Sequence, residues 1–343
     1  MKIELGNGDI PWVKLEKDWD FLLANSNFAQ PFFTPTWYQV WFNHFGNIPE
    51  VRVYLAREDH GQIAGLGIFK EENGQEGKRK ISLLGSLDVW DYRDFIILAG
   101  REKEFLENFT NFFCASTWDI LELNGISEFS PTFKNLPNIM ENKGLFLSKE
   151  VEEVSLYIDL PASWDEFLAN LKAKERHELR RKIRRLQREE YFSVEAFREL
   201  SSPTEDIEKF FALHRKSSKD KAEFMTPKME SFFRDLAKEF HKRGWLDLAF
   251  LKIKGKEAAA FFSFNFQDTY YLFNSGYDPE YGRLSPGIVL AAYSIQEAIK
   301  KGKKKFNFLR GREDYKYRLG GREEKIFRIK VEKNEEGGGP QYS

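Results

Sequence analysis

The sequence predicts an α/β (α+β) fold assembled twice in tandem, each copy a mixed, mostly antiparallel sheet flanked by helices. Three observations carry that expectation. At 343 residues the chain exceeds the length at which one hydrophobic core usually stops growing. Hydrophobic residues make up 41%, with 33 phenylalanines, which is material for two cores, while 31% charged residues suit a solvated surface. The order of elements read from hydrophobic period also repeats between the two halves.

In the first half, Pro35 to Phe45 reads as a helix, followed by strands Val51 to Arg57 and Ile63 to Lys70 across a loop through Asp59 and Gly61. Strands Lys80 to Gly85 and Arg93 to Leu98, a helix from Glu102 to Ala115 and a strand Asp119 to Leu123 complete it. Asn142 to Lys149 reads as loop and Val154 to Asp159 as strand, which puts the boundary near Glu150. The expected organisation is a first domain over 1–150, a second over 151–333 and a flexible Gly-rich tail over 334–343.

The second half opens with Ser163-Trp164-Asp165-Glu166, a capping box starting one long helix with Leu168, Leu171, Leu179, Ile183 and Leu186 on its apolar side. Ser202-Pro203-Thr204-Glu205 starts another, with Ile207, Phe210, Phe211 and His214 on one face. Thr226-Pro227 starts a third, which Gly244 ends. Trp245 to Ile253, Glu257 to Phe266 and Thr269 to Ser275 form an aromatic-rich antiparallel meander around a tight Lys254-Gly255 turn. A helix from Ser285-Pro286 to Gly302, a strand Lys305 to Leu309 and a closing strand Lys325 to Val331 finish the copy.

A net charge of −1 excludes a surface built wholly for nucleic acid, so no DNA partner is expected. Cys114 is alone, in an apolar helical pattern, and reads as a buried structural thiol. Five scattered histidines give no metal-ligand spacing, and no metal is expected. The start has no basic and apolar leader and no run of 18 apolar residues occurs, so the expectation is a cytoplasmic protein without membrane insertion.

Three constellations carry the chemistry. From Lys172 to Arg188 nine Lys or Arg face only Glu175 and Glu178. Such a face is either merely solvated or paired within the chain, or it meets an anionic, phosphate-bearing ligand, with Arg176, Arg180, Arg181 and Arg185 as the candidate contacts. Second, Asn274 to Asp278 and Tyr281 to Gly287 lie where a strand end leads into a helix start, a place where free N–H groups and the helix dipole attract anions. Third, Phe306 to Lys316 is a strand emptying into a charged loop with Gly311.

The element order resembles that of the GNAT-type acyltransferase fold. Arg176, Leu179 to Lys182, Arg184 to Leu186, His214, Ser275 to Asp278, Ser285 to Gly287 and Gly311 to Lys316 stand in an order that resembles the acetyltransferase-like proteins of bacterial cellulose and exopolysaccharide synthesis (CelD-like). The resemblance spans about Trp164 to Lys316. Gly85 to Asp94 is similar to that family's first half, and the Fem-type peptidoglycan-bridge transferases, also two GNAT-like domains, are a more distant likeness.

The resemblance implies acyl transfer from acetyl-CoA or another acyl-CoA to an amine or hydroxyl of a small-molecule or sugar-linked acceptor. The donor pyrophosphate then maps to Tyr277 and to Arg283, Ser285, Pro286 and Gly287, although Pro286 removes one backbone donor. Such chemistry needs a proton acceptor, an acid for the leaving thiolate and positive charge near the developing oxyanion. Asp278 or Glu313 are candidates for the first, Tyr315 for the second and Lys316 for the third; His214 is either a further candidate or a core histidine. Lys316 corresponds by motif to a lysine of the Fem-type enzymes. Two other readings stay open: a Fem-like transferase drawing on aminoacyl-tRNA, whose phosphates the basic helix would meet, and a non-catalytic adaptor in polysaccharide synthesis.

Overall fold

A computed structural model of the chain describes residues 1–7, 12–46, 51–73, 77–85, 88–189, 192–196 and 203–333. It divides into two compact units, Met1–Val154 together with the chain from Glu324, and Ser155–Glu323. Each is a mixed α/β layer, as the sequence predicts. The tail 334–343 and the Ser202 cap lie outside the described residues.

The first unit runs β1 (Lys2–Asn7), α1 (Trp12–Ala24), α2 (Pro35–Phe45), β2 (Val51–Arg57), β3 (Ile63–Asn73), β4 (Arg79–Leu83), β5 (Ile96–Ile97), α3 (Glu102–Ala115), β6 (Ile120–Ser127) and α4 (Pro131–Glu141). β1 to β4 pair antiparallel in succession, and β4 then pairs parallel with β6 through the α3 crossover. Phe69 and Phe109 stack in its core, and Phe95 meets Phe69, Phe105 and Phe109 edge to face. Thr34 and Ser130 cap α2 and α4 from the side chain, each followed by a proline at the first helical turn.

β7 (Phe146–Asp159) leads into the second unit, which continues with α5 (Trp164–Asn170), α6 (Ala173–Gln187), β8 (Ser193–Ala196), α7 (Pro203–Ser217), α8 (Lys219–Phe224) and α9 (Pro227–Lys242). The meander β9 (Leu246–Ile253), β10 (Lys256–Phe266) and β11 (Thr269–Tyr277) follows, then α10 (Pro286–Lys300), β12 (Lys305–Arg310), α11 (Asp314–Arg318) and β13 (Arg322–Glu332). β8 to β11 pair antiparallel, β11 pairs parallel with β12 across α10, and β12 pairs antiparallel with the Ser155–Asp159 end of β7.

Four expectations need correcting. The closing strand belongs to the first unit: β13 pairs with β6 from Ile326↔Ser127 to Glu332↔Ile120, because Ile329 and Val331 bury in the first core. The long helix after Ser163 is broken at Leu171, where extended backbone intervenes and the Arg176 guanidinium donates to the carbonyls of Leu168, Ala169 and Leu171 at the end of α5. The loop expected over Asn142 to Lys149 is in part the beginning of β7. Cys114 is exposed, on the outer side of α3.

Candidate functional site

β11 and β12 are hydrogen-bonded only over Thr269–Tyr271 and Lys305–Asn307. Beyond that point β11 stays paired with β10 as far as Tyr277, and β12 with β7 as far as Arg310, so the two strands part into a fork. A bulge between Asn307 and Leu309 turns β12 away, with Leu309 in the left-handed region (φ 60°) and its N–H donating to Asn307 Oδ1 at 2.8 Å. The ends of both strands carry the expected third and second constellations.

Two lysines stand at these ends. Lys316, 2% exposed, donates to the carbonyls of Leu309 (3.3 Å), Arg310 (2.6 Å) and Gly311 (3.3 Å) and pairs with Glu313 Oε2 at 2.9 Å. Its ammonium therefore ties together the chain that leaves β12. Lys221, on α8, donates to the Ser275 carbonyl and, at 3.2 Å, to Ser275 Oγ. Burial lowers its pKa to about 8, the charge of Glu313 opposes this and that of Lys316 adds to it. Sequence reasoning missed Lys221 because Ser218-Lys219-Asp220-Lys221 reads as a solvated run; only the Ser218 cap, which accepts from the Lys221 N–H at 3.2 Å, hinted at an ordered turn.

The other candidates separate. Glu313 is exposed apart from its lysine. Tyr315 is half-buried, its ring edge-on to Phe308, and burial, then the Glu313 charge, raise its phenol above the usual range. Asp278 accepts from Lys216 at 2.9 Å and from the Glu280 N–H at 3.1 Å; burial pushes its pKa up, but these bonds outweigh it and hold the carboxyl below its ordinary value. His214 is 1% exposed among Phe210 and Phe224, with Nε2 2.9 Å from Asn274 Oδ1. Because that oxygen also accepts the Ser275 N–H, the ring is read as the Nε2–H tautomer. Burial first, then the Lys221 charge, lower its pKa to about 4, so it is neutral at pH 7. The Tyr277 ring is exposed while its backbone is clipped to Ser217 Oγ.

The basic helix α6 reaches the start of α10. Lys182 Nζ donates to Ser285 Oγ at 3.1 Å, and Arg185 donates to the Arg283 carbonyl at 2.9 Å. Ser285 is left-handed (φ 54°) and its side chain makes no cap; the Ile288 and Val289 N–H groups both turn back to its carbonyl. Pro286 has no N–H, so among the described residues Gly287 offers the outward amide of this turn, beside two cations and the positive end of the helix dipole. Of the four arginines expected at an anion, Arg185 is placed here, Arg176 closes α5, Arg181 pairs with Glu178 at 2.8 Å and Arg180 is exposed. Arg283 projects into solvent. Converting Lys182 and Arg185 together to Gln is expected to weaken a phosphate-bearing ligand about tenfold or more, while Arg180→Gln stays near the parent; titration calorimetry at two salt concentrations reads the difference.

In the first unit the corresponding space between β4 and β6 is filled by the chain itself. The Arg93 N–H donates to Gly125 O at 3.0 Å on β6 and its guanidinium to Gly85 O at 3.3 Å just past β4. Asp91, Tyr92, Arg93 and Asp94 are all buried. Trp90 donates to Phe32 O at 3.0 Å and packs on Tyr38 and Trp41; Gly85, at φ 120°, leaves no room for a Cβ against its indole. Tyr92 donates to Glu324 Oε2 at 3.0 Å, on β13.

Residues 173–317, which hold this fork and the helix start beside it, match the acetyltransferase (GNAT) domain model. Among solved structures the chain is similar to FemX (TM-score 0.64, 11% identity, covering 94% of this chain and 96% of that one). It is also similar to the C-terminal domain of a putative lysylphosphatidylglycerol synthetase from Agrobacterium fabrum (0.57, 11%, 94% and 93%) and to a tandem GNAT protein from the clavulanic acid biosynthesis pathway (0.51, 10%, 96% and 98%). At these identities the likeness is one of fold. No curated protein sequence matches the chain significantly. Among the described residues no cluster of His, Cys, Asp and Glu could hold a metal ion, and no helix is long and apolar enough to cross a membrane.

Proposed function

We propose that the chain is an N-acyltransferase that moves an acyl group from acyl-CoA to an amine or hydroxyl of a cell-surface polysaccharide or glycolipid precursor, with one donor site, in the second unit. The observation that carries this is the fork between β11 and β12, with Lys221 and Lys316 at its ends and the α10 start following β11 across the short 3₁₀ turn Pro279–Leu284. The acceptor class is supported by the resemblance to exopolysaccharide-synthesis proteins.

In this reading Lys182, Arg185 and the Gly287 N–H receive donor phosphate oxygens. Neutral Lys221 spends both hydrogens on Ser275, which aims its lone pair away from that residue, towards an incoming acceptor. The acceptor attacks the thioester carbonyl, its proton passes to Lys221 Nζ, the C–S bond breaks, and the same proton returns to the thiolate. Lys316, saturated by carbonyls, positions the strand end and adds positive charge near the oxyanion rather than meeting it directly.

The aminoacyl-tRNA reading draws on the exposed Arg180, Arg184 and Arg188, which α10 does not use. Calorimetry with acetyl-CoA, longer acyl-CoAs, free CoA and charged tRNA separates the two. Saturable binding of one CoA equivalent per chain is expected, the first unit being blocked by Trp90 and Arg93. Two equivalents would refute the single site, and tRNA binding without CoA binding would select the Fem-like alternative. Failure of both, with a co-purifying protein, would favour the adaptor.

A further inference from the structure

A cavity of about 310 Å³ in the second unit lies at the other end of α10. It is lined by Asp247, Tyr270, Ser294 and Lys301, with apolar walls including Val194 and Ala249. The fifteen residues of α10 span roughly 22 Å at 1.5 Å per residue, so this cavity is distinct from the anion-binding helix start.

Its chemistry is unusual for the underside of a sheet. Phe262 and Phe264 point to the α7 and α9 side, where they meet Phe210, Phe233 and Phe240, so Ser263 and Asn265 point to the α10 side. There Asp247, only 5% exposed, receives Asn265 Nδ2 at 2.7 Å and Lys301 Nζ at a long 3.4 Å. Tyr270, 2% exposed, is kept protonated by burial first and by the Asp247 charge second, with the Ser263 and Ser294 hydroxyls opposing both. Lys300 at the rim is already paired with Glu297 at 2.6 Å. A buried carboxylate held by one long ion pair is poorly compensated. A plain amine entering here would take Asp247 and strand Lys301, whereas a plain anion would take Lys301 and strand Asp247. A molecule with both charges replaces one long pair by two close ones.

We propose that this cavity binds a small zwitterion of amino-acid size, its ammonium on Asp247, its anionic group on Lys301 and its apolar part against Val194 and Ala249. The cavity volume falls at the small end of ligand pockets. The site is independent of the acyl-transfer reading, since none of its groups takes part there.

The test is a thermal-shift and calorimetric screen of the twenty amino acids on the full chain, with ethanolamine and propionate as single-charge controls. At least one amino acid should raise the melting temperature saturably while both controls fail. Affinity should fall about tenfold or more in Asp247→Asn, because one buried charge then lacks its partner. Ala249→Phe, which fills the cavity with apolar bulk, should abolish the shift; its circular dichroism and CoA binding report whether the fold is kept. If no zwitterion binds, or if a control binds as well as the zwitterions, the proposal is wrong.

Discussion

Lys221→Met is expected to cut turnover by about 10²-fold or more without lowering the melting temperature, the scale of one positioned proton-transfer group. The side chain replaces a largely buried amine by an apolar group of similar length, so packing is kept and a desolvated charge is removed. The pH profile is the sharper readout. With its pKa lowered from the usual lysine value to about 8, the neutral form gains population as pH rises to 8, so kcat/KM of the parent should climb to about that pH and then level. The variant should lose this limb. The same shift has a stability consequence of known sign: between about pH 8 and the unfolded lysine pKa of 10.5 the unfolded chain binds more protons, so the parent gains stability with rising pH and the variant does not. A variant within a few-fold of the parent, with the limb intact, would remove Lys221 from the chemistry.

Lys316→Met is expected to behave in the opposite way, costing about 3 kcal/mol or more in urea unfolding of the second unit, because three carbonyls lose their donor where solvent barely reaches. Turnover should fall as well, yet the loss should follow the unfolding curve and shrink on cooling or when saturating donor stabilises the fold. Lys316→Arg should not rescue, since a planar fork does not fit three carbonyls gathered around a single ammonium. Wild-type stability with lost turnover would instead make the ammonium a direct participant, as the Fem-type likeness implies.

Legibility in the sequence followed range. The β9–β10–β11 meander could be read locally, since Lys254-Gly255 sets the first turn and the alternating phenylalanines of β10 set its faces. The starts of α9 and α10 were marked by Thr226-Pro227 and Ser285-Pro286. The helix α4 carried the same mark, Ser130-Pro131, but Pro137 within it and the asparagines Asn135, Asn138 and Asn142 hid it. Among the site residues, the strand-end motif Gly311 to Lys316 was visible, whereas the parting of β11 from β12 was not, because a register between strands separated by a whole helix leaves no local trace. The basic face of α6 was legible as charge, but which two of its cations meet α10 depends on the break at Leu171 and the rotation it sets.

The late arrival of β13 reverses the usual order of maturation during synthesis. Domains near the N-terminus generally fold first as they leave the ribosome. Here every strand of the second-unit sheet has been made once β12 emerges, while β6 still waits for the residues that bury Ile329 and Val331 beside it. An unfilled strand edge next to an aromatic core is an invitation to pair with another chain. The first unit therefore carries an open edge at β6 from the time that strand is made until β13 reaches it.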